Sequence, residues 1–262
     1  MPDNNNTSTH QPISLETLVN FCDTRTRRRE VTDFPGAING LQFAKQHPVQ
    51  KIGAAVDAGL VPFQEAARQG VDFLIVHHGL FWHPQQPVTG AIYEKYRLLI
   101  ENDIAVYSCH LPLDAHPEIG NNALLAAALH LPIQSWFLPH EGVPMAALCT
   151  SDLPREELSA RLRALFPSSF TAIEFGSTKP SRIAILTGSG RSALSALAAV
   201  GCDTLITGEL RQEHFNAAQE NRWNLYPCGH YATEVFGVTA LAKEAATHFR
   251  VPFAFIPTSC PL

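Results

Sequence analysis

The sequence predicts an α/β protein with largely parallel sheets, built as two similar halves. Two observations predict it. Short, wholly apolar strand-like runs alternate with amphipathic helical stretches along the chain. A block in the first half also matches one in the second. Residues 66–78 align with 197–209, so that Gly70 falls on Gly201, Asp72 on Asp203, Leu74 on Leu205, Ile75 on Ile206 and His78 on Glu209.

Taken in order, Ser14 is a natural N-cap for a helix carrying Leu15, Leu18, Val19 and Cys22 at helical spacing. Lys51 to Val56 reads as a buried strand, Pro62 to Gln69 as a helix stopped by Gly70, and Phe73 to Val76 as an inner strand running into His77 and His78. A helix over 92–102, a strand over 104–108 and a helix over 121–129 complete the first half. The second half reads as strand 145–149, helix 155–165, strand 182–186, helix 193–200, strand 204–207, strand 224–227, the longest helix over 233–248 and a closing strand 251–256. The proline-bearing stretch from Leu131 to Pro144 is the expected junction between halves.

Composition narrows the function. The 262 residues include 19 Lys and Arg against 24 Asp and Glu, a formal net charge of −5. The cluster Arg25 to Arg29, broken by Thr26, is read as a solvated surface, so nucleic-acid binding is not expected. Residues 1–12 are polar, without the apolar core of a signal peptide, and read as a disordered tail. No run has the roughly 18 apolar residues of a membrane span. Six cysteines without a CxxC pair read as reduced core residues, and a cytoplasmic protein is expected.

Twelve histidines are more informative by placement than by number. His77 and His78 sit at the carboxyl end of an inner strand, where adjacent side chains diverge and ligands of open α/β sheets gather. They are either a strand end with one ring buried or a metal-binding pair. His230 and Glu234, four apart at the start of the longest helix, share a face and form either a surface pair or a chelate. Gly229 before them permits an unusual dihedral. Asp114 is either an N-cap or a carboxylate matching Glu234, since His110 and Asp114 repeat the spacing of His230 and Glu234 after a second strand. Two carboxylates, one from each half, suit a two-metal site. His110 is expected beside that site and His116 at the surface. Glu209 and His214, past another strand end, are candidates for acid–base work or for orienting ligands; a polar helix start is the plainer alternative. Thr187-Gly188-Ser189-Gly190 has the form of a phosphate-cradling loop, though a simple turn is preferred.

The segments Val76-His77-His78-Gly79-Leu80-Phe81-Trp82, His110-Leu111-Pro112-Leu113-Asp114, Thr207-Gly208-Glu209 and Gly229-His230-Tyr231-Ala232-Thr233-Glu234 together resemble the NIF-three-like family. Its members are labelled GTP cyclohydrolase I type 2 homologues or dinuclear-metal hexameric proteins. The resemblance covers nearly the whole chain after the tail. It implies that His77, His78, Asp114, His230 and Glu234 bind two divalent metal ions. It also implies two interlinked α/β domains, here 13–130 and 131–262, with the last helix and strand packing back on the first. A homohexameric ring, a trimer of dimers, is the implied assembly, in a compact form without the inserted domain of some relatives. A His-rich donor set suits Fe, Mn, Zn, Co or Ni better than Mg or Ca. Two functions follow: a metal-dependent hydrolase acting on a nucleotide or related small molecule, or a non-catalytic metal-delivery or regulatory protein.

Overall fold

The computed structural model describes residues 13–82, 84, 86–258 and 260–262; the polar stretch 1–12 lies outside them. The elements run α1 (Leu15–Thr26), β1 (Gly40–Phe43), β2 (Ile52–Asp57), α2 (Leu60–Arg68), β3 (Phe73–His78), α3 (Gly90–Glu101), β4 (Ala105–Ser108), α4 (Leu111–Asp114), α5 (Asn121–Ala128) and β5 (Ile133–His140). They continue as β6 (Val143–Thr150), α6 (Arg155–Leu165), β7 (Ile173–Glu174), β8 (Arg182–Ser189), α7 (Arg191–Leu194), β9 (Thr204–Glu209), α8 (Glu213–Asn221), β10 (Asn224–Pro227), α9 (His230–Phe249) and β11 (Phe253–Phe255).

Among the described residues the strands form two sheets, ordered β1-β4-β3-β2-β11 and β5-β6-β8-β9-β10-β7. Both are covered on both faces, and strand parity shows how. In β3, Phe73 and Ile75 pack with α1 and α9, whereas Leu74 and Val76 pack with α2 and α3. In β8, Ile183 and Ile185 pack with α5 and α6, while Ala184 and Leu186 face Ala193, Leu197 and Ala218. Burial on both faces is why these strands read as continuous apolar runs.

The expectation of largely parallel sheets needs correction for the second sheet. In the first, only β1 is antiparallel to its neighbour. The second is mixed: β8-β9-β10 are parallel, while β5-β6, β6-β8 and β10-β7 are antiparallel. The expected junction at 131–144 is largely strand. Glu141 and Gly142, both at positive φ (47° and 84°), make a two-residue turn that folds β5 back on β6. That left-handed pair matches the twist of a hairpin. The helix expected over 193–200 shortens to Arg191–Leu194, followed by i→i−3 turns at Ala196 and Leu197.

The turns inside the matched blocks have the same hydrogen bonds. Gly70 (φ 68°) donates to Ala67 O and Val71 to Ala66 O; Gly201 (φ 62°) donates to Ala198 O and Cys202 to Leu197 O. Asp72 and Asp203, two residues after each glycine, accept backbone amides from a neighbouring segment, Lys51 and Ser177 respectively.

The two sheets are tied at α9 and at a buried asparagine pair. α9 contacts β2 and β3 of the first sheet and β8 and β9 of the second, and β11 then adds to β2 in parallel. Asn122, fully buried on α5, donates to Met145 O (2.9 Å) on β6 and accepts the Thr187 amide (2.8 Å) on β8. Asn121 accepts the Gly237 amide (2.7 Å) in the middle of α9. Because Asn122→Ala orphans a buried carbonyl and a buried amide, it is expected to cost about 2–3 kcal/mol in urea unfolding. A change below about 0.5 kcal/mol would mean that these groups find other partners.

Candidate metal centre

The carboxyl end of β3, the turn after β4 and the first turn of α9 converge where the sheets meet. Gly229, at φ 98°, swings the chain into α9, and a Cβ there would lie 2.7 Å from Ser169 Oγ. His230 and Glu234 then share the inward face of the first helical turn. Gly188, at the end of β8, allows closest approach, since a Cβ would overlap Glu234 Oε1 and come within 3.3 Å of His230 Nε2.

Glu234 is central and only 3% exposed. Its Oε1 faces His77 Nε2 (3.5 Å) and His230 Nε2 (3.2 Å), and its Oε2 faces His78 Nε2 (3.4 Å). Asp114 Oδ2 lies 3.5 Å from His77 Nε2. Two donors each about 2.1 Å from one ion, at tetrahedral or octahedral angles, stand roughly 3.0–3.4 Å apart. The observed separations match that spacing and are long for hydrogen bonds.

Each ring is held from its far side. His77 Nδ1 donates to Cys109 O (3.0 Å) and His78 Nδ1 to Asp57 Oδ1 (2.8 Å). His230 Nδ1 lies 3.3 Å from Glu209 Oε1. A neutral imidazole that donates through Nδ1 keeps its lone pair at Nε2, so the inward nitrogens are acceptors. Asn121 Nδ2 donates to Asp114 Oδ1 (2.7 Å), leaving Oδ2 toward His77. His77 Nε2 and Glu234 Oε2 are buried without a hydrogen-bond partner. Buried polar atoms are otherwise almost always satisfied, so this pair is the mark of a ligand site.

The electrostatics favour positive charge at the centre. Burial resists protonation of His77, but Asp114 and Glu234 outweigh it and hold its pKa well above the ordinary value. Burial acts the same way on His230, yet Glu234 and Glu209 raise it to about 9. Burial alone would raise the Glu234 pKa; the surrounding imidazoles instead hold it far below the usual carboxylate range.

The structure thus brings together all five residues expected to bind metal, and adds one. Two donor sets gather here, His77-His78-His110 and His78-His230-Glu234, consistent with a site for two metal ions. Asp114 belongs to neither set but meets His77 directly. His110, expected beside the site, packs with its ring centre 4.8 Å from that of His77 and, edge-on, 4.6 Å from that of Trp82. Glu209 stands behind His230. His214 is placed elsewhere: its Nδ1 accepts the Arg211 amide (2.9 Å) at the start of α8, the plainer of its two readings.

Sequence reasoning missed Asp33. It accepts from His110 Nδ1 (2.9 Å), Asn39 Nδ2 (2.7 Å) and the amides of Phe34 (2.7 Å) and Leu111 (3.0 Å). The only available signal was its turn context, Asp33-Phe34-Pro35-Gly36. Burial alone would raise its pKa; the bond from His110, with those from Asn39 and Phe34, lowers it to about 2. A depressed carboxylate stabilises the fold above its unfolded value, and that contribution fades as pH falls through the folded one. Asp33→Asn should therefore lose about 2 kcal/mol at neutral pH, and the gap to wild type should close between about pH 4 and 2. Denaturant titrations at several pH values check this; a constant gap would rule out ionisation of Asp33 as its source.

Comparison with known proteins agrees with this geometry. The family model described as Duf34/NIF3 (NGG1p interacting factor 3) matches residues 18–261. A Deinococcus radiodurans protein named GTP cyclohydrolase 1 type 2 homolog is 39% identical over 222 residues, 84% of each chain. The Escherichia coli K12 protein of the same name is 38% identical over 249 residues, 93% of this chain and 97% of that one. The crystal structure of TTHA1606 from Thermus thermophilus covers 95% of this chain and 100% of its own, at 34% identity and a TM-score of 0.85. With its fold and nearly its full length matched, the chain belongs to the Duf34/NIF3 (NGG1p interacting factor 3) family.

Proposed function

We propose that this protein is a metal-dependent hydrolase in which His77, His78, Asp114, His230 and Glu234 hold two divalent metal ions. The carrying observation is the buried, unpartnered pair His77 Nε2 and Glu234 Oε2, set among rings whose far nitrogens are already bonded. The substrate on this reading is a nucleotide or related small molecule. Support comes from the relatives' name, GTP cyclohydrolase 1 type 2 homolog, and from the cavity of about 970 Å³ that opens beside the donors.

Ions held there would supply Lewis acidity and would stabilise a developing anion. The chain's own residues supply the rest. Cys109 O and Asp57 fix the tautomers of His77 and His78, Glu209 stands 3.3 Å from His230 Nδ1, and Asn121 aims the Asp114 carboxylate. Glu209, half exposed behind His230, is the carboxylate placed to exchange protons with solvent. His214, with its Nδ1 committed to the backbone, is not assigned that work. The shared turn geometry at Gly70 and Gly201 supports reading 13–130 and 131–262 as two copies of one unit. A homohexamer is the assembly expected by resemblance, and sedimentation analysis tests it.

Metal analysis should give about two ions per chain in the wild type, with most of that lost in His77→Ala and Glu234→Ala. Turnover screened on GTP, phosphoesters and peptides should disappear with the metal. Two ions with no turnover on any substrate would replace the hydrolase with a metal-handling role. No metal after reconstitution would sink the reading altogether. Asp57→Ala removes only the bond behind His78. It should weaken metal affinity by roughly 10–100-fold while leaving the fold intact.

A further inference from the structure

The cavity beside the donors contains groups that metal binding does not use. Its walls are largely apolar, with Phe34, Trp82, Met145 and Leu186 exposed to it. Aromatic faces beside apolar side chains suit a flat unsaturated ring. At the rim stand Arg191 and Ser192. Among the described residues no carboxylate lies within ion-pair distance of Arg191, whereas Arg155 and Arg161 are paired.

The Gly188-Ser189-Gly190 loop does not cradle an anion with its backbone. The Thr187, Gly188 and Gly190 amides already donate to Asn122 Oδ1 (2.8 Å), Thr233 Oγ1 (3.1 Å) and Glu209 O (3.2 Å). Anion recognition here falls to side chains, and Arg191 is the guanidinium on this wall. Gly188 touches Glu234, and Arg191 follows three residues later, so the Cα atoms of Gly188 and Arg191 are within roughly 11 Å. Arg191 and the residues His78, Asp114, His230 and Glu234 line this one cavity.

We propose that this cavity binds a flat heteroaromatic compound bearing one oxyanion group, a phosphate or a carboxylate. The ring lies against Phe34 and Trp82, and the oxyanion sits on Arg191. This assignment rests on reading the site as one for small molecules, but it does not use the metal ions.

The test is calorimetric titration of the full chain with pairs that differ in the oxyanion: guanosine and GMP, adenosine and AMP, nicotinamide and nicotinate. The wild type should prefer the anionic member of at least one pair. Arg191→Ala should lose roughly 10–100-fold for that member and nothing for its neutral partner, and Arg191→Lys should recover part of the loss. Metal content should stay at the wild-type level in both variants. An anionic preference that survives Arg191→Ala places the oxyanion on the metal ions and overturns the proposal, as does the absence of preference in every pair. The same titrations on metal-free protein should keep the Arg191-dependent ratio. Failure of the dinuclear reading is thereby told apart from failure of this subsite.

Discussion

Glu234 is a carboxylate buried where two sheets meet, and its burial constrains everything around it. Taking such a group out of water costs several kcal/mol unless opposite charge and hydrogen bonds are supplied. The chain supplies three imidazole nitrogens at 3.2–3.5 Å. Even so, Oε2 is left without a hydrogen bond. A buried carboxylate facing lone pairs rather than donors is stable only with positive charge between them, supplied by protons or by metal ions. The raised pKa values of His77 and His230 express the same imbalance.

That constraint explains why polar groups that bind nothing themselves are buried nearby. Asn121 links the Asp114 carboxylate to the Gly237 amide of α9, so one side chain sets both the acid and the helix that holds Glu234. Asn122 fastens α5 to β6 and β8 of the second sheet. Gly237 leaves room for this approach, since a Cβ would come within 2.9 Å of Leu113 and 3.0 Å of Asn121. Asp33 plays the corresponding part for His110 and the amide that opens α4. Each is a buried polar group with its bonds made, which rigidifies a site only when the network is complete.

Much of this was legible in the sequence, for identifiable reasons. Phe73 to Val76 and Ile183 to Leu186 announced inner strands because both faces are covered. Arg155–Leu165 matched its reading residue for residue, with acidic residues in its first turn and Arg163 in its last. His77 and His78 stood out because two adjacent histidines end an apolar strand. What escaped notice was exposed or distant in sequence. β5 alternates poorly, with Gln134 and Ser135 both exposed, and its turn is Glu-Gly instead of the usual Asn-Gly. Asp33 and Asn121 act across 77 and 116 residues respectively, contacts that no local pattern encodes.

The division between donors and cavity carries one further consequence. The candidate donors lie at the end of β3, in α4 and at the start of α9, with His77 and His78 each bonded from the far side. The cavity walls come from elsewhere: Phe34 from the segment before β1, Trp82 from the loop after β3, His140 from a hairpin tip and Arg191 from the short α7. Segments of that kind tolerate substitution without disturbing the sheets. Specificity can therefore change in this architecture while the donor set stays fixed. For the same reason, the clustered His and Glu side chains speak to a metal centre, while the choice of substrate falls to the cavity walls.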